Sequence, residues 1–396
     1  MSDVGSNGAG PWDAWAAQQI GAVRAAGQWR EPRVLDGRGP CFRLADGREV
    51  VSFASNDYLG LAGNPTVVAA AHAALDEWGA GSGAARLIVG SRPVHHDLES
   101  ELAAWKRSDA AVLFPTGFAA NLGVLTTLAG PSVTVVSDEL NHASIIDGCR
   151  LARANVVVSR HNDAAHVDAI LAACPGRALV VTDLVFSMDG DVAPLAELGE
   201  VCASHGALLV LDEAHLVVDP SGGCREPDEI IGGRLGGIDA KSVVRVGTLS
   251  KTLGSLGGFA AGDAHLMALL VNRARSYIFT TASTPADAAA ARAALSLVRG
   301  SEGDELRARL RRNIDRLSPG HPSPIVPILI GAEDAAVDVA ARLLDRGVLI
   351  PAIRPPTVAA GTSRLRVALS AAHTDRHIDL LLSGLDAVWP AGRNRG

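Results

Sequence analysis

The chain has 396 residues, 48% apolar, 20% charged and 4% aromatic, with 42 glycines and 20 prolines, a composition that excludes disorder and collagen-like repeats and fits an enzyme of two or three domains. Its 43 acidic and 36 basic residues leave a formal charge of −7, which argues against phosphate-driven nucleic-acid binding and points to a small substrate. Five scattered cysteines, Cys41, Cys149, Cys174, Cys202 and Cys224, lack CxxC spacing, so neither a disulfide framework nor a metal site is expected, and a reducing cytoplasm is the expected compartment.

Residues 1–10 read as a fraying polar start, followed by a predicted helix near Trp12 to Trp29. No basic residue precedes Arg24, and no apolar run approaches the ~18 residues of a membrane helix, so neither a signal peptide nor membrane association is expected. From Val50 short β-rich runs alternate with Ala-rich stretches: VVSF at 50–53, AAVLF at 110–114, SVTVV at 132–136, NVVV at 155–158, ALVVTD at 178–183, ALLVLD at 207–212 and SVVRVGT at 242–248. Their spacing predicts βαβ units around a mostly parallel sheet covered by helices. A helix is predicted from Pro285 to Arg312 and a loop over SPGHPSP at 318–324, before strands and helices resume in a smaller C-terminal α/β domain. The predicted division is an N-terminal segment 1–49, a large domain 50–284 and a small domain with its linking helix 285–396.

Two motifs mislead. DEAH at 212–215 suggests a helicase, but no GxxxxGK[ST] accompanies it, since Ser250 precedes Lys251 and Arg245 stands where the loop needs its first glycine. GAGSGA at 79–84 suggests a dinucleotide loop, but Ala84 replaces the last glycine and a helical stretch precedes it.

The ends of the parallel strands carry the candidate chemistry. After AAVLF, Thr116, Gly117 and Phe118 open a helix, an arrangement suited to a phosphate and equally readable as an ordinary strand-to-helix turn. After ALLVL stands Asp212, which would suit a protonated pyridine nitrogen or serve as a helix cap, with His215 three residues on. After SVVRVGT comes Lys251, one of only three lysines beside Lys106 and Lys241, with Thr248 and Ser250 before it and a glycine-rich turn after it. His142 follows SVTVVS and could stack on a planar group or be structural, and Ser187 in FSMDGD could reach a ring hydroxyl or sit in a plain turn. Jointly these describe a site for pyridoxal phosphate, with Lys251 holding its aldehyde and Asp212 its ring nitrogen.

The motifs SNDYLGL (55–61), GSGAARLIVGSRPVHHDLE (81–99), FPTGFAANLG (114–123), SDELNHASIIDG (137–148), VFSMDGD (185–191), DEAH (212–215), GTLSKTLGSLGG (247–258), YIFTTAS (277–283) and RLRVALSAAHT (364–374) occur in order along the chain. In this the chain resembles the α-oxoamine synthases, fold-type I pyridoxal phosphate enzymes. The resemblance implies a cytoplasmic homodimer with a mostly parallel mixed sheet in the large domain. It makes Lys251 the covalent anchor and proton carrier, Asp212 the partner of the ring nitrogen and His142 the stacking group. It further implies Thr116, Gly117, Phe118 and Thr248 near the phosphate, Thr281 reaching it from the other subunit, Ser187 and His215 at the ring hydroxyl, Asn56 on the substrate side and Arg364 on the amino acid carboxylate.

The implied reaction is decarboxylative condensation of an amino acid with an acyl thioester, carried on coenzyme A or a carrier protein, to give an α-amino ketone. Biotin synthesis is the default pathway by resemblance, and secondary metabolism the alternative. Another reaction of the same fold, such as transamination, decarboxylation or aldol chemistry, is the competing reading, followed by a non-catalytic subunit. The chain departs from the family at Leu184 and at Leu216, Val217, Val218 and Asp219, where smaller residues are usual, and SGGC at 221–224 is expected to supply the later turn. These bulkier residues suggest a reshaped pocket.

Overall fold

The computed structural model describes residues 10–219 and 235–389. At its centre is a seven-stranded sheet of β4 (Ala110–Phe114), β5 (Val133–Asp138), β6 (Asn155–Ser159), β7 (Arg177–Asp183), β8 (Leu208–Asp212), β9 (Val243–Thr248) and β10 (Gly258–Gly262), in the order β4-β10-β9-β8-β7-β5-β6. The five strands from β9 to β6 are parallel, and β10 runs antiparallel to both β9 and β4. Alternate residues of one strand enter different cores: Leu209 and Leu211 pack with Val136 and Val180 on one face, Val210 with Val135 and Val181 on the other. Burial on both faces is why these strands read as unbroken apolar runs.

Strand β10 was not predicted, because GFAAG carries no β-branched residue. Close packing selects small residues here instead, since a Cβ at Gly258 of β10 would lie 2.4 Å from the Thr116 carbonyl oxygen and one at Gly247 of the adjacent β9 would lie 2.4 Å from the Phe259 ring. VVSF also departs from expectation. It forms β3 (Glu49–Ser52), which joins β1 (Leu35–Arg38), β2 (Cys41–Leu44) and β12 (Val348–Leu349) in a separate sheet, with β3 and β12 parallel. A third sheet, antiparallel, holds β11 (Ile325–Gly331), β14 (Ser363–Ala368) and β13 (Ala352–Ile353) in the order β11-β14-β13.

The first helix covers Pro11–Ala25 and buries none of its residues. The helix expected from Pro285 to Arg312 is instead two, Pro285–Val298 and Ser301–Leu317, with Gly300 as the second one's N-cap. Arg307 donates to the Val298 carbonyl at 3.0 Å across this break. A Cβ at Gly303 would collide with the same carbonyl, 2.1 Å away. No helix among the described residues is long and apolar enough to cross a membrane.

Candidate active site

The register of the parallel strands sets the site. Asp183 at the end of β7 lies opposite Asp212 at the end of β8, and Asp212 lies opposite Val246 of β9, so the carboxyl ends of three strands open on one cavity. Its volume is about 220 Å³. Thr116, Gly117, Phe118, His142, Asp212, His215, Thr248 and Lys251 all line it, together with Asn121, Ser144 and Asp183.

Thr116 caps the helix Gly117–Leu128, its hydroxyl accepting from the Ala119 N–H at 3.0 Å. Gly117 packs on Thr248, where a Cβ would stand 3.2 Å from the threonine Cβ, and the helix N-terminus faces the cavity beside that hydroxyl. Asp212 is held by neutral donors: the Ala214 N–H reaches one oxygen at 2.9 Å and Asn121 Nδ2 the other at 2.6 Å. The Asn121 carbonyl oxygen is buried without a protein partner.

Lys251 does not turn to Asp212. Its Nζ lies 2.7 Å from His215 Nε2, and His215 Nδ1 lies 2.6 Å from the Tyr58 hydroxyl, which donates to Asn56 Oδ1 at 3.1 Å. Arg366 Nη2 donates to the same Asn56 oxygen at 3.1 Å. With the tyrosine proton directed to Asn56, His215 donates from Nδ1 and accepts the lysine proton at Nε2. Burial first, then the charges of Lys251 and Arg366, hold His215 well below the usual imidazole range. Burial also pulls Lys251 down to about 8, against the opposing pull of Asp212 and Asp183, and pushes Tyr58 up to about 12. Asp183 is raised well above the usual carboxylate range by burial and by the neighbouring charge of Asp212, while accepting from the His142 backbone N–H at 2.7 Å.

Four predicted residues, Asn56, Ser187, Thr281 and Arg364, are not in the cavity wall. Arg364 pairs with Asp189 and donates to the Thr362 carbonyl at 3.0 Å. The second arginine of the same RLR motif, Arg366, faces the Lys251 side and donates from Nε to the Ser187 carbonyl at 2.5 Å. Residues 364 and 366 share one face of β14, two residues apart along the strand, and of the two it is Arg366 that reaches Asn56. Ser187 meets this arginine through its backbone, and Thr281 is exposed.

The departures at Leu184 and Leu216 to Asp219 do not reshape the cavity. Leu184 is fully buried among Val136, Phe186 and Leu211, Val217 and Val218 enter the main core, and Leu216 packs at the edge of the Leu184 cluster. Asp219 is buried and also outside the wall. SGGC at 221–224 lies outside the described residues.

The model of the family aminotransferase class I and II matches residues 48–385. An 8-amino-7-oxononanoate synthase of Anaeromyxobacter dehalogenans is 47% identical over 390 residues, covering 95% of this chain and 96% of that protein. The chain belongs to aminotransferase class I and II, and within it to the α-oxoamine synthases. A second 8-amino-7-oxononanoate synthase, from Marinobacter nauticus, is 46% identical over 93% of this α-oxoamine synthase and 95% of its own length. Among solved structures, serine palmitoyltransferase of Sphingomonas wittichii superposes with a TM-score of 0.86 at 31% identity over 99% of both chains. The enzyme from S. paucimobilis, solved with PLP and myriocin bound, gives 0.85 at 30% identity over 96% of this chain and 98% of that one. This α-oxoamine synthase is a pyridoxal phosphate-dependent C-acyltransferase that joins an amino acid to an acyl thioester.

Proposed function

We propose that the amino acid is L-alanine and the acyl donor a pimeloyl thioester, the products being 8-amino-7-oxononanoate, carbon dioxide and the free thiol, in the cytoplasm and in a homodimer. Near-full-length identity of 47% to a synthase of that name carries this reading. The serine palmitoyltransferases are matched at 31% and 30%, which makes serine and a long-chain acyl group the second reading.

The polar groups of the cavity suit pyridoxal phosphate: a capped helix N-terminus beside Thr248 for the phosphate, and a carboxylate held only by neutral donors for a ring nitrogen. When bound, the cofactor supplies an electron sink for the pair left on the amino acid α-carbon. Thr116, Gly117, Phe118 and Thr248 would hold its phosphate, Asp212 its nitrogen, His142 its face and His215 its hydroxyl side, while Ser187, outside the wall, would act through its carbonyl on Arg366. Lys251 carries the α-proton, and its amine is made available near neutral pH by burial. His215 receives the lysine N–H and, through Tyr58 and Asn56, links Lys251 to Arg366. The carboxylate clamp is Arg366 rather than Arg364, because Arg364 is already committed to Asp189. Thr281, exposed near Phe279, faces the cavity of a second copy in this reading.

Thiol release measured with alanine, glycine and serine, each against pimeloyl-CoA, palmitoyl-CoA and pimeloyl-carrier protein, tests the assignment. Fastest release with alanine and a pimeloyl thioester is expected. Preference for serine with palmitoyl-CoA would overturn it.

A further inference from the structure

A chain of buried side chains runs along the cavity wall, and no role has yet been given to its two central members. Asn121 Nδ2 donates to Asp212 Oδ2 at 2.6 Å and to the Ser144 hydroxyl oxygen at 2.9 Å. The amide has to point this way, because its carbonyl oxygen turned toward Asp212 would meet a carboxylate oxygen at the same distance. With the amide bonded to Ser144 Oγ, the serine proton is directed to His142 Nδ1, 2.8 Å away. The Ser144 backbone N–H reaches the same nitrogen at 3.2 Å. Two donors on Nδ1 leave the proton of a neutral imidazole on Nε2.

The backbone of His142 is fixed independently. Asp183 accepts its N–H at 2.7 Å, and the Asn141 side chain stitches the turn to β7, donating to the Val181 carbonyl at 2.8 Å and accepting from the Asp183 N–H at 2.9 Å. That leaves the orientation and tautomer of the ring to Ser144. Asn121, Ser144 and Asp212 are all buried, so bulk water does not compete for these bonds.

We propose that Asn121 and Ser144 are positioning residues that tie the tautomer of His142 to Asp212, so that one chain of hydrogen bonds sets both the group facing the cofactor's ring nitrogen and the group facing its plane. The tautomer presents an Nε2–H donor to the cavity instead of a lone pair. This assignment rests on the reading of the cavity as the pyridoxal phosphate site.

The test uses holoenzyme labelled with ¹⁵N-histidine, the His142 resonances being assigned by their loss in His142→Phe. Wild type is compared with Asn121→Ala, Ser144→Ala and the double variant, and the pyridoxal phosphate dissociation constant is measured for each. Asn121→Ala is expected to move the Nδ1 resonance, although it removes no atom touching the ring, and to weaken cofactor binding roughly 10–100-fold through loss of a charge-assisted bond to Asp212. Ser144→Ala should move the same resonance while binding stays nearer to wild type, and the double variant should match Ser144→Ala in its imidazole signal. An unmoved Nδ1 resonance in Asn121→Ala, or additive shifts in the double variant, would overturn the proposal. Ser144→Ala removes a single oxygen, so it remains informative where Asn121→Ala does not fold, and an unmoved resonance there is equally fatal. Wild-type protein that takes up no pyridoxal phosphate would sink the cofactor reading, while the imidazole comparison would still decide the relay.

Discussion

Asp212 and Glu213 leave the end of β8 side by side and meet opposite surroundings. Asp212 faces the cavity and is held by two neutral donors, the Asn121 amide and the Ala214 N–H. Glu213 turns away from it to two cations: Lys106 Nζ at 3.0 Å, itself over the Trp105 ring, and the guanidinium of Arg245, which also donates to the Lys106 carbonyl at 3.0 Å. A buried carboxylate without a protein cation is costly unless a ligand brings one, whereas a buried ion cluster is self-contained and costly only to break. The difference separates a carboxylate hydrogen-bonded by neutral donors at the cavity, as the proposed function needs, from one locked into an ion cluster with Lys106 and Arg245.

Lys251→Ala should cause the largest effect, lowering kcat on the order of 10³-fold or more without lowering Tm, because the lysine is the proposed proton carrier and its cation lies in a costly environment. Normal turnover by this variant would remove Lys251 from the chemistry. Asp212→Asn should lower kcat roughly 10²-fold or more at nearly unchanged Tm, while Glu213→Gln should cost about 3–5 kcal/mol of stability and leave the folded fraction active. Kinetics together with thermal denaturation check both, and the comparison breaks if the two variants exchange phenotypes.

A smaller effect separates the two arginines of β14. Arg366→Lys is expected to raise the amino acid KM roughly 10-fold, since an ammonium cannot form the two parallel bonds of the guanidinium fork. Arg364→Lys should change it much less. Equal effects would return Arg364 to the substrate. An effect of similar size is on pH. In its proposed role the Lys251 amine captures pyridoxal phosphate only when deprotonated, and its value is pulled down to about 8. Capture by apoenzyme in stopped flow should therefore rise roughly 10-fold from pH 7 to pH 9 and then level off. A rate still climbing steeply above pH 9 would show an unshifted lysine.

Most of the cavity wall was legible in the sequence because parallel strands present their carboxyl ends at one edge, so the residue following each apolar run is placed there by topology. Lys251, Asp212, His142 and Thr116 were found in that way. Tyr58, Asn121, Ser144 and Asp183 were not assigned roles, although each lies within or beside a recognised motif. Their roles depend on partners 23 to 157 residues away in the chain, and no local pattern reports such contacts. The spacing of the RLR motif offered no means of choosing between Arg364 and Arg366, since alternate residues share a face and only the pairing of β14 ranks them.

The sequence alone determined which apolar runs form most of the central strands and the chemistry of the cofactor, and it singled out Lys251 as the candidate for the covalent lysine, because apolar runs and strand-end residues are local and survive without coordinates. Tertiary structure decided what each polar group is bonded to. It inserted β10 between β9 and β4 on the strength of close packing, and it joined β3 to a strand almost 300 residues later. It also turned Lys251 toward His215 and sent Glu213 into a buried ion cluster. Hydrogen bonds and ion pairs are short-ranged in space and indifferent to separation in sequence, so their partners exist only once the chain has folded.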